Sequence, residues 1–180
     1  MLCGDACRND LVSPMTLHEF TAEQWLPIAR DELFPFFADA WNLQELTPPW
    51  MNFHIVTPRP ITMRVGALID YRLRVRGFPL RWRSEITAWE PPVRFVDEAR
   101  QGPFRRWIHE HRFEPRDGGT LAIDRVRYAV PGGALINWLL VRHDVARIFA
   151  YRSAKLRELY PSPAAPLTSP RASASAKPIS

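Results

Sequence analysis

The chain has little cysteine and no long apolar segment, and each shortage excludes a class of protein. Of its 180 residues only two are cysteines, Cys3 and Cys7. A disulfide framework or a cysteine-based zinc site is therefore excluded for the rest of the chain. No apolar run approaches the roughly 20 residues that span a bilayer, and residues 1–14 lack the apolar block of a secretory signal. We therefore expect a cytoplasmic protein.

Lysine is also scarce, because the positive charge is carried almost entirely by arginine. Lys155 and Lys177 are the only lysines, yet the net charge is +5. The arginines alternate with apolar residues instead of forming a block, which is typical of the solvated face of a sheet. We therefore expect no nucleic-acid partner. A transient contact with an anionic membrane surface stays open, through a basic face of Arg72, Arg74, Arg76, Arg81 and Arg83.

Aromatic residues, in contrast, are abundant. Seven Trp and ten Phe suit either a large core or the wall of a ligand cavity. Residues 16–160 carry the periodic apolar pattern and are expected to form one domain. Residues 1–15 are expected to be a disordered leader, and 161–180, rich in Pro, Ser and Ala, a disordered tail.

The first part of the domain predicts one strand and two short helices. Residues 17–26 are interpreted as the strand, which Pro27 ends. Helices are predicted over 30–38 and 39–46, and Trp50 to Val56 begins a second strand.

The next segment alternates apolar and polar residues with a period of two. Turns are predicted at Gly77-Phe78-Pro79, Pro91-Pro92, Gly102-Pro103 and Asp117-Gly118-Gly119. They separate strands over 67–76, 80–88, 93–99, 104–114 and 120–130. Strands joined by short turns, with no helix between them, indicate an antiparallel meander.

One long helix is predicted to follow, since residues 134–160 contain no Pro or Gly and repeat apolar residues at helical spacing. The predicted class is α+β: a curved seven-stranded antiparallel sheet wrapped around this helix, with the two short helices after strand 1. The long helix is the one element able to cover a whole face of the sheet.

Particular residues add a family resemblance. The stretches are Pro79-Leu80-Arg81-Trp82-Arg83-Ser84-Glu85-Ile86, Trp89-Glu90-Pro91-Pro92, Arg94-Phe95-Val96-Asp97-Glu98 and Gly102-Pro103-Phe104-Arg105-Arg106-Trp107, with His109, His111, Asp124 and Tyr128. With the element order, they resemble the START/Bet v 1-like superfamily of polyketide cyclase, dehydrase and lipid-transport domains, over roughly 16–160. The resemblance implies the helix-grip fold with an apolar cavity between sheet and helix. It implies no single reaction, because this fold supports many functions.

Two histidines are the main candidates for chemistry. His109 and His111 lie on one face of a predicted strand, beside Trp107 and Phe113. The strand across the hairpin presents one of two alternating sets of residues to this face, either Asp124, Val126 and Tyr128 or Ile123, Arg125 and Arg127. The first set is the better match to a face that already carries Trp107 and Phe113. Asp124 is then expected to approach one of the histidines, where a carboxylate orients the tautomer and raises the pKa of the imidazole.

This cluster permits three interpretations. In the first, which is favoured, it is a satisfied polar network or an anchor for the polar end of a ligand. In the second, it is a general acid/base pair, as in a cyclase or dehydratase. Or His109, His111 and Asp124 bind a metal, although no fourth ligand is evident. We assign no catalytic residue, no metal and no cofactor.

The predicted function is binding of a hydrophobic small molecule (lipid, quinone or polyketide-like) by a carrier or binding protein. The alternative is a cyclase/dehydratase-type lyase that uses the His/Asp cluster. The ligand-binding candidates are Tyr71, Trp82, Ser84, Trp107, His109, His111, Asp124, Tyr128, Trp138 and Phe149.

Overall fold

Seven antiparallel strands form one curved sheet in the computed structural model, which describes residues 16–162. The spatial order is β1-β7-β6-β5-β4-β3-β2, so the last strand closes back onto the first. The strands are β1 (His18–Leu26), β2 (His54–Ile55), β3 (Leu68–Val75), β4 (Phe78–Glu90), β5 (Arg94–Gln101), β6 (Arg106–Arg116) and β7 (Gly119–Ala129). This confirms the predicted seven-stranded antiparallel sheet.

Short helices follow β1 as predicted. They are α1 (Arg30–Ala38) and α2 (Leu43–Leu46), with a 3₁₀ turn over Ala40–Asn42 between them. A second 3₁₀ turn, Pro49–Met51, occupies the start of the segment expected to be a strand. Asn52 then takes a left-handed conformation (φ 44°), and only His54 and Ile55 pair with β3.

The turn between β3 and β4 begins one residue earlier than predicted, at Arg76 in place of Gly77. Arg76 and Gly77 form the turn, with φ of 51° and 85°, and Val75 pairs with Phe78. Positive φ at both central residues matches the twist of a two-residue hairpin. Pro79 lies opposite Arg74 of β3, and β5 pairs with β4 only from Arg83 onward, so Pro79 has no strand partner on its β5 side.

The long C-terminal helix is confirmed, with one irregularity. It consists of α3 (Gly133–Ile136), a π-helical stretch (Asn137–Val141) and α4 (Arg142–Leu159), which follow without a break. A π stretch holds an extra residue per turn and changes the phase of the helix faces. Val145, Phe149 and Leu156 are buried, whereas Trp138, predicted to share their face, is 56% exposed.

The core lies between the concave face of the sheet and the helices. Phe34 and Phe37 of α1 pack edge-on against Phe113 of β6, with ring centroids 5.5 and 4.8 Å apart. Phe149 of α4 packs on Phe20 of β1 at 4.9 Å. Among the described residues, no helix is long and apolar enough to cross a membrane.

Candidate functional site

A cavity of about 300 Å³ lies between the concave face of the sheet and the C-terminal helix. Most of its wall is apolar, with residues such as Leu43, Met63, Ile69, Leu73 and Phe149. Seven of the predicted ligand-binding residues line it: Tyr71, Trp82, Ser84, Trp107, His109, His111 and Phe149. The inward-facing residues of β3, β4 and β6 reach it because side chains alternate between the two faces of a strand.

The two histidines and Asp124 meet on the concave face. Asp124 of β7 lies directly opposite His111 of β6 in the sheet register. Its Oδ1 accepts a hydrogen bond from His109 Nε2 at 3.0 Å and lies 2.9 Å from His111 Nδ1. The imidazole rings of His109 and His111 are 3.8 Å apart between centroids. One carboxylate therefore contacts both rings.

A second carboxylate, that of Asp97 in β5, contacts His111 from the other side. Its Oδ2 accepts a hydrogen bond from His111 Nε2 at 3.1 Å, and its Oδ1 accepts one from Ser84 Oγ at 3.2 Å. Trp82 Nε1 in turn donates to Ser84 Oγ at 3.1 Å. Phe95 stacks on the His111 ring at 4.2 Å between centroids. The imidazole of His111 is therefore fixed in orientation.

The C-terminal helix adds the permanent positive charge. Arg152 of α4 is 6% exposed, and its Nε lies 3.2 Å from Asp124 Oδ2. A terminal nitrogen of Arg152 lies 3.4 Å from His111 Nδ1. When His111 is protonated, its imidazolium and the Arg152 guanidinium carry only hydrogen-bond donors and repel each other. The Asp124 carboxylate then attracts both of them.

The pKa shifts agree on one distribution of charge. Burial raises the pKa of Asp124, but Arg152 and the two histidines more than offset it and hold that pKa well below its usual value. Burial lowers the pKa of His111, and the contacts with Asp124 and Asp97 reverse this and raise it. Burial and the charge of His111 together lower the pKa of His109.

The cluster is therefore electrically balanced when only His111 is protonated. Burial raises the pKa of Asp97, and its contacts with His111, His109 and Ser84 lower it overall, so both carboxylates are ionised. Their two negative charges match those of Arg152 and His111. Such pairing is what allows charged groups to be buried.

Position alone would let a metal ion bind here, but charge opposes it. One ligand atom each from Asp97, His109 and His111 lies within 4.8 Å of the others. Both ring nitrogens of His111 already face carboxylates. Arg152 would also place a fixed positive charge beside the ion. The arrangement suits an ion-paired network that presents hydrogen-bonding groups to the cavity.

Three predicted site residues lie away from the cavity wall. Asp124 stands behind the histidines, within the cluster. The Tyr128 hydroxyl donates to Asn137 Oδ1 at 2.9 Å, which ties β7 to the helix. Trp138 points outward, for the reason of helix phase given above.

Asp97 and Arg152 belong to the cluster, and the sequence analysis did not assign either of them. Asp97 has the same strand parity as the buried Phe95, which is a readable signal. Arg152 falls on the buried stripe of α4, between Phe149 and Leu156. A charged residue on an apolar helix face is a second such signal.

Comparison with known proteins agrees with this architecture. The sequence model of the family "Polyketide cyclase / dehydrase and lipid transport" matches residues 26–144, more than half of the chain. No protein of curated function matches the chain in sequence.

Solved structures resemble it in fold. Protein Ms6760 from Mycobacterium smegmatis superposes with a TM-score of 0.59 at 19% identity, over 78% of this chain and 89% of that one. Ara h 8.0201 gives 0.57 at 16% identity, over 79% and 99%. The major latex-like protein 151 from Panax ginseng gives 0.58 at 8% identity, over 81% and 99%. The sequence match and the START/Bet v 1-like fold together support ligand binding as the general role. The chain belongs to the polyketide cyclase/dehydrase and lipid transport family.

Proposed function

We propose that the protein binds a hydrophobic small molecule, such as a lipid, a quinone or a polyketide-like ring, as a carrier or binding protein. The observation that carries this proposal is an apolar cavity whose polar side is a charge-balanced cluster. An apolar wall supplies affinity through burial, and a few placed polar groups fix orientation. The sequence contains no motif for a phosphate-binding loop or a nucleophile elbow, so neither nucleotide nor hydrolase chemistry is part of this proposal.

The ligand is expected to have an apolar body and one polar end. His109, His111 and Asp97 line the cavity, so a ligand hydroxyl can donate a hydrogen bond to the Asp97 carboxylate, and an imidazole N–H can donate one to a ligand oxygen. Tyr71, Trp82 and Trp107 offer flat apolar surfaces beside this cluster. A ring system with an oxygen substituent fits this combination.

Mass spectrometry of the freshly purified protein tests the proposal. The protein is measured under native conditions and again after organic extraction. A stoichiometric apolar molecule in the extract, with the corresponding added mass in the native spectrum, is the expected result. The proposal would be contradicted if no bound molecule is detected and the purified protein also fails to bind the neutral fluorescent probe N-phenyl-1-naphthylamine.

A pair of histidine variants tests where the ligand is held. His109→Ala removes a buried ring from the cavity wall, whereas His54→Ala removes an exposed ring elsewhere. We expect the first to weaken ligand retention more than it weakens folding, and the second to change neither. The readouts are probe affinity and the urea midpoint. Unchanged affinity together with a collapsed midpoint in His109→Ala would assign the ring a purely structural role.

A cyclase or dehydratase activity is the second candidate, and one observation favours it. His109 and His111 stand side by side in the cavity wall, and the pKa of His109 is lowered whereas that of His111 is raised. That pairing provides a base and an acid at one pH. Turnover of a polyketide-type β-keto substrate that is lost in His111→Ala, with probe binding retained, would establish the enzyme. Recovery of every offered substrate unchanged would leave the carrier.

A further inference from the structure

Three connections of the sheet lie together at the end where the C-terminal helix begins. They are the β3–β4 turn at Arg76 and Gly77, the β5–β6 connection over 102–105, and the β7–α3 connection over 130–132. Because strand direction alternates in an antiparallel sheet, the ends of β3, β5 and β7 lie at the same end of the sheet. Arg76 Nε bonds Asp144 of α4 at 2.8 Å, and Arg105 N bonds the carbonyl of Ala129 at 2.9 Å. We call this the helix-start end.

Large apolar side chains are exposed there. Leu135, Trp138, Leu139 and Leu140 are 65%, 56%, 48% and 38% exposed, on successive turns of the helix. Phe78, beside the β3–β4 turn, is 74% exposed. Single exposed apolar residues are ordinary, but a cluster on one helix marks an interaction surface. We call the four helix residues the apolar ridge.

The surroundings of the apolar ridge carry positive charge. No Asp or Glu occurs in residues 71–84, 99–109 or 125–143, three of the segments at this end, and Glu19 at the start of β1 lies 3.8 Å from Arg125. Arg105, Arg106 and Arg142 are exposed there, and the Arg142 guanidinium lies 5.2 Å from the centre of the Trp138 ring. Asp144, the first acid of α4, is paired with Arg76. The ridge is therefore flanked by arginines with little compensating charge.

We propose that the helix-start end docks on an anionic lipid bilayer, with the apolar ridge inserted at the interface and the flanking arginines on the lipid headgroups. Leucine and tryptophan on a helix with cationic neighbours is the composition of interfacial membrane helices. Each arginine near such a surface adds attraction that salt screens. A second copy of the chain is the poorer partner, because a self-facing contact would bring the arginines against one another.

The ridge also stands beside the cavity. Val141 and Val145 of the same helix line the cavity, as do Pro103 and Phe104 of the β5–β6 connection. A docked protein would therefore hold this side of the cavity next to the bilayer. The docking itself does not depend on the identity of the ligand, so it can be tested separately from ligand binding.

Cosedimentation of the full chain with vesicles tests the proposal. One set contains phosphatidylglycerol and phosphatidylcholine, and the other phosphatidylcholine alone, each at low and at high salt. The variant Leu135→Ser/Leu139→Ser removes two ridge leucines. The control Val65→Ser/Leu68→Ser removes two residues of similar exposure, 56% and 47%, near the opposite end of β3. Urea unfolding is measured for both variants to check that they fold.

We expect binding to the anionic vesicles, weakened by salt, with the ridge variant about tenfold weaker and the control within about twofold. Arg105→Gln/Arg106→Gln should also weaken binding about tenfold and reduce its salt dependence, whereas Arg64→Gln/Arg116→Gln should not. Absence of vesicle binding, or equal binding by ridge variant and control, would overturn the proposal. A dimer that Leu135→Ser/Leu139→Ser dissociates, without vesicle binding, would overturn it and assign the ridge to a second copy.

Discussion

Replacing Asp124 with asparagine tests whether charge balance stabilises the buried cluster. The Asp124 side chain is 13% exposed and contacts three groups: His109 at 3.0 Å, His111 at 2.9 Å and Arg152 at 3.2 Å. Asparagine keeps the shape but loses the negative charge, and its NH₂ group faces partners that are themselves donors. Asp97 is then the one remaining carboxylate of the cluster for two positive groups, Arg152 and protonated His111.

The expected loss is large for a conservative substitution. Removing one partner of a buried charge pair costs about 3–5 kcal/mol. In a domain of this size, about 1 kcal/mol lowers Tm by about 2–4 °C, so Tm should fall by about 6–20 °C. Urea unfolding at neutral pH, followed by circular dichroism, gives the free energy of unfolding directly.

Asp70→Asn is the matched control. Asp70 also bonds an arginine, Arg83, at 2.7 Å, but the two side chains are 38% and 45% exposed. Solvent-exposed ion pairs contribute about 0–1 kcal/mol, so this variant should be nearly as stable as the parent. Equal free energies of unfolding for Asp124→Asn and Asp70→Asn would refute the electrostatic account of the cluster.

The pH dependence gives a second check on Asp124. Its pKa in the folded protein lies well below the ordinary value of 3.8. The stability that it contributes is therefore fully present above pH 3.8 and is lost as pH falls through the folded pKa. The difference between parent and Asp124→Asn should therefore shrink in strong acid, as the pH falls below 3.8. A difference that grows as the pH falls below 3.8 would contradict this sign.

Two further predictions concern His111 and the aromatic core. Because the pKa of His111 is raised above 6.5, its stabilisation is full below pH 6.5 and is lost as pH rises through the folded pKa. His111→Gln should therefore cost more stability in urea unfolding below pH 6.5 than at alkaline pH, and an equal cost at both would contradict it. Phe113 is 1% exposed, so Phe113→Ala should lower the free energy of unfolding by about 3–5 kcal/mol. Phe78 is 74% exposed, so Phe78→Ala should change it by about 0.5 kcal/mol or less in the same urea experiment.

Part of the candidate site follows from the sequence because strand periodicity is local. Alternation places His109, His111 and Phe113 on one face whatever the rest of the fold does. The Asp117-Gly118 turn fixes the register of β6 against β7 and so sets Asp124 opposite His111. The contribution of Asp97 required knowing that β5 neighbours β6 on its other side. The Arg152 contact required the packing angle of a helix that is remote in sequence.

Local signals also explain which parts of the fold differed from expectation. Proline and glycine marked the β3–β4 hairpin, but backbone twist placed its turn at Arg76 and Gly77. Trp138 follows the apolar spacing of a regular helix, and the π stretch turned it outward. The π stretch begins at Asn137, whose Oδ1 accepts a hydrogen bond from the hydroxyl of Tyr128 in β7.

The sequence alone determined the α+β class, the seven strands, the long C-terminal helix and the approach of Asp124 to one of the two histidines, because these depend on periodicity and on short turns. Tertiary structure decided the second carboxylate, the buried arginine, the opposite pKa shifts of His109 and His111, and the exposed ridge. Those features arise from side chains that meet across elements distant in sequence, and their charges and burial are properties of the assembled cluster.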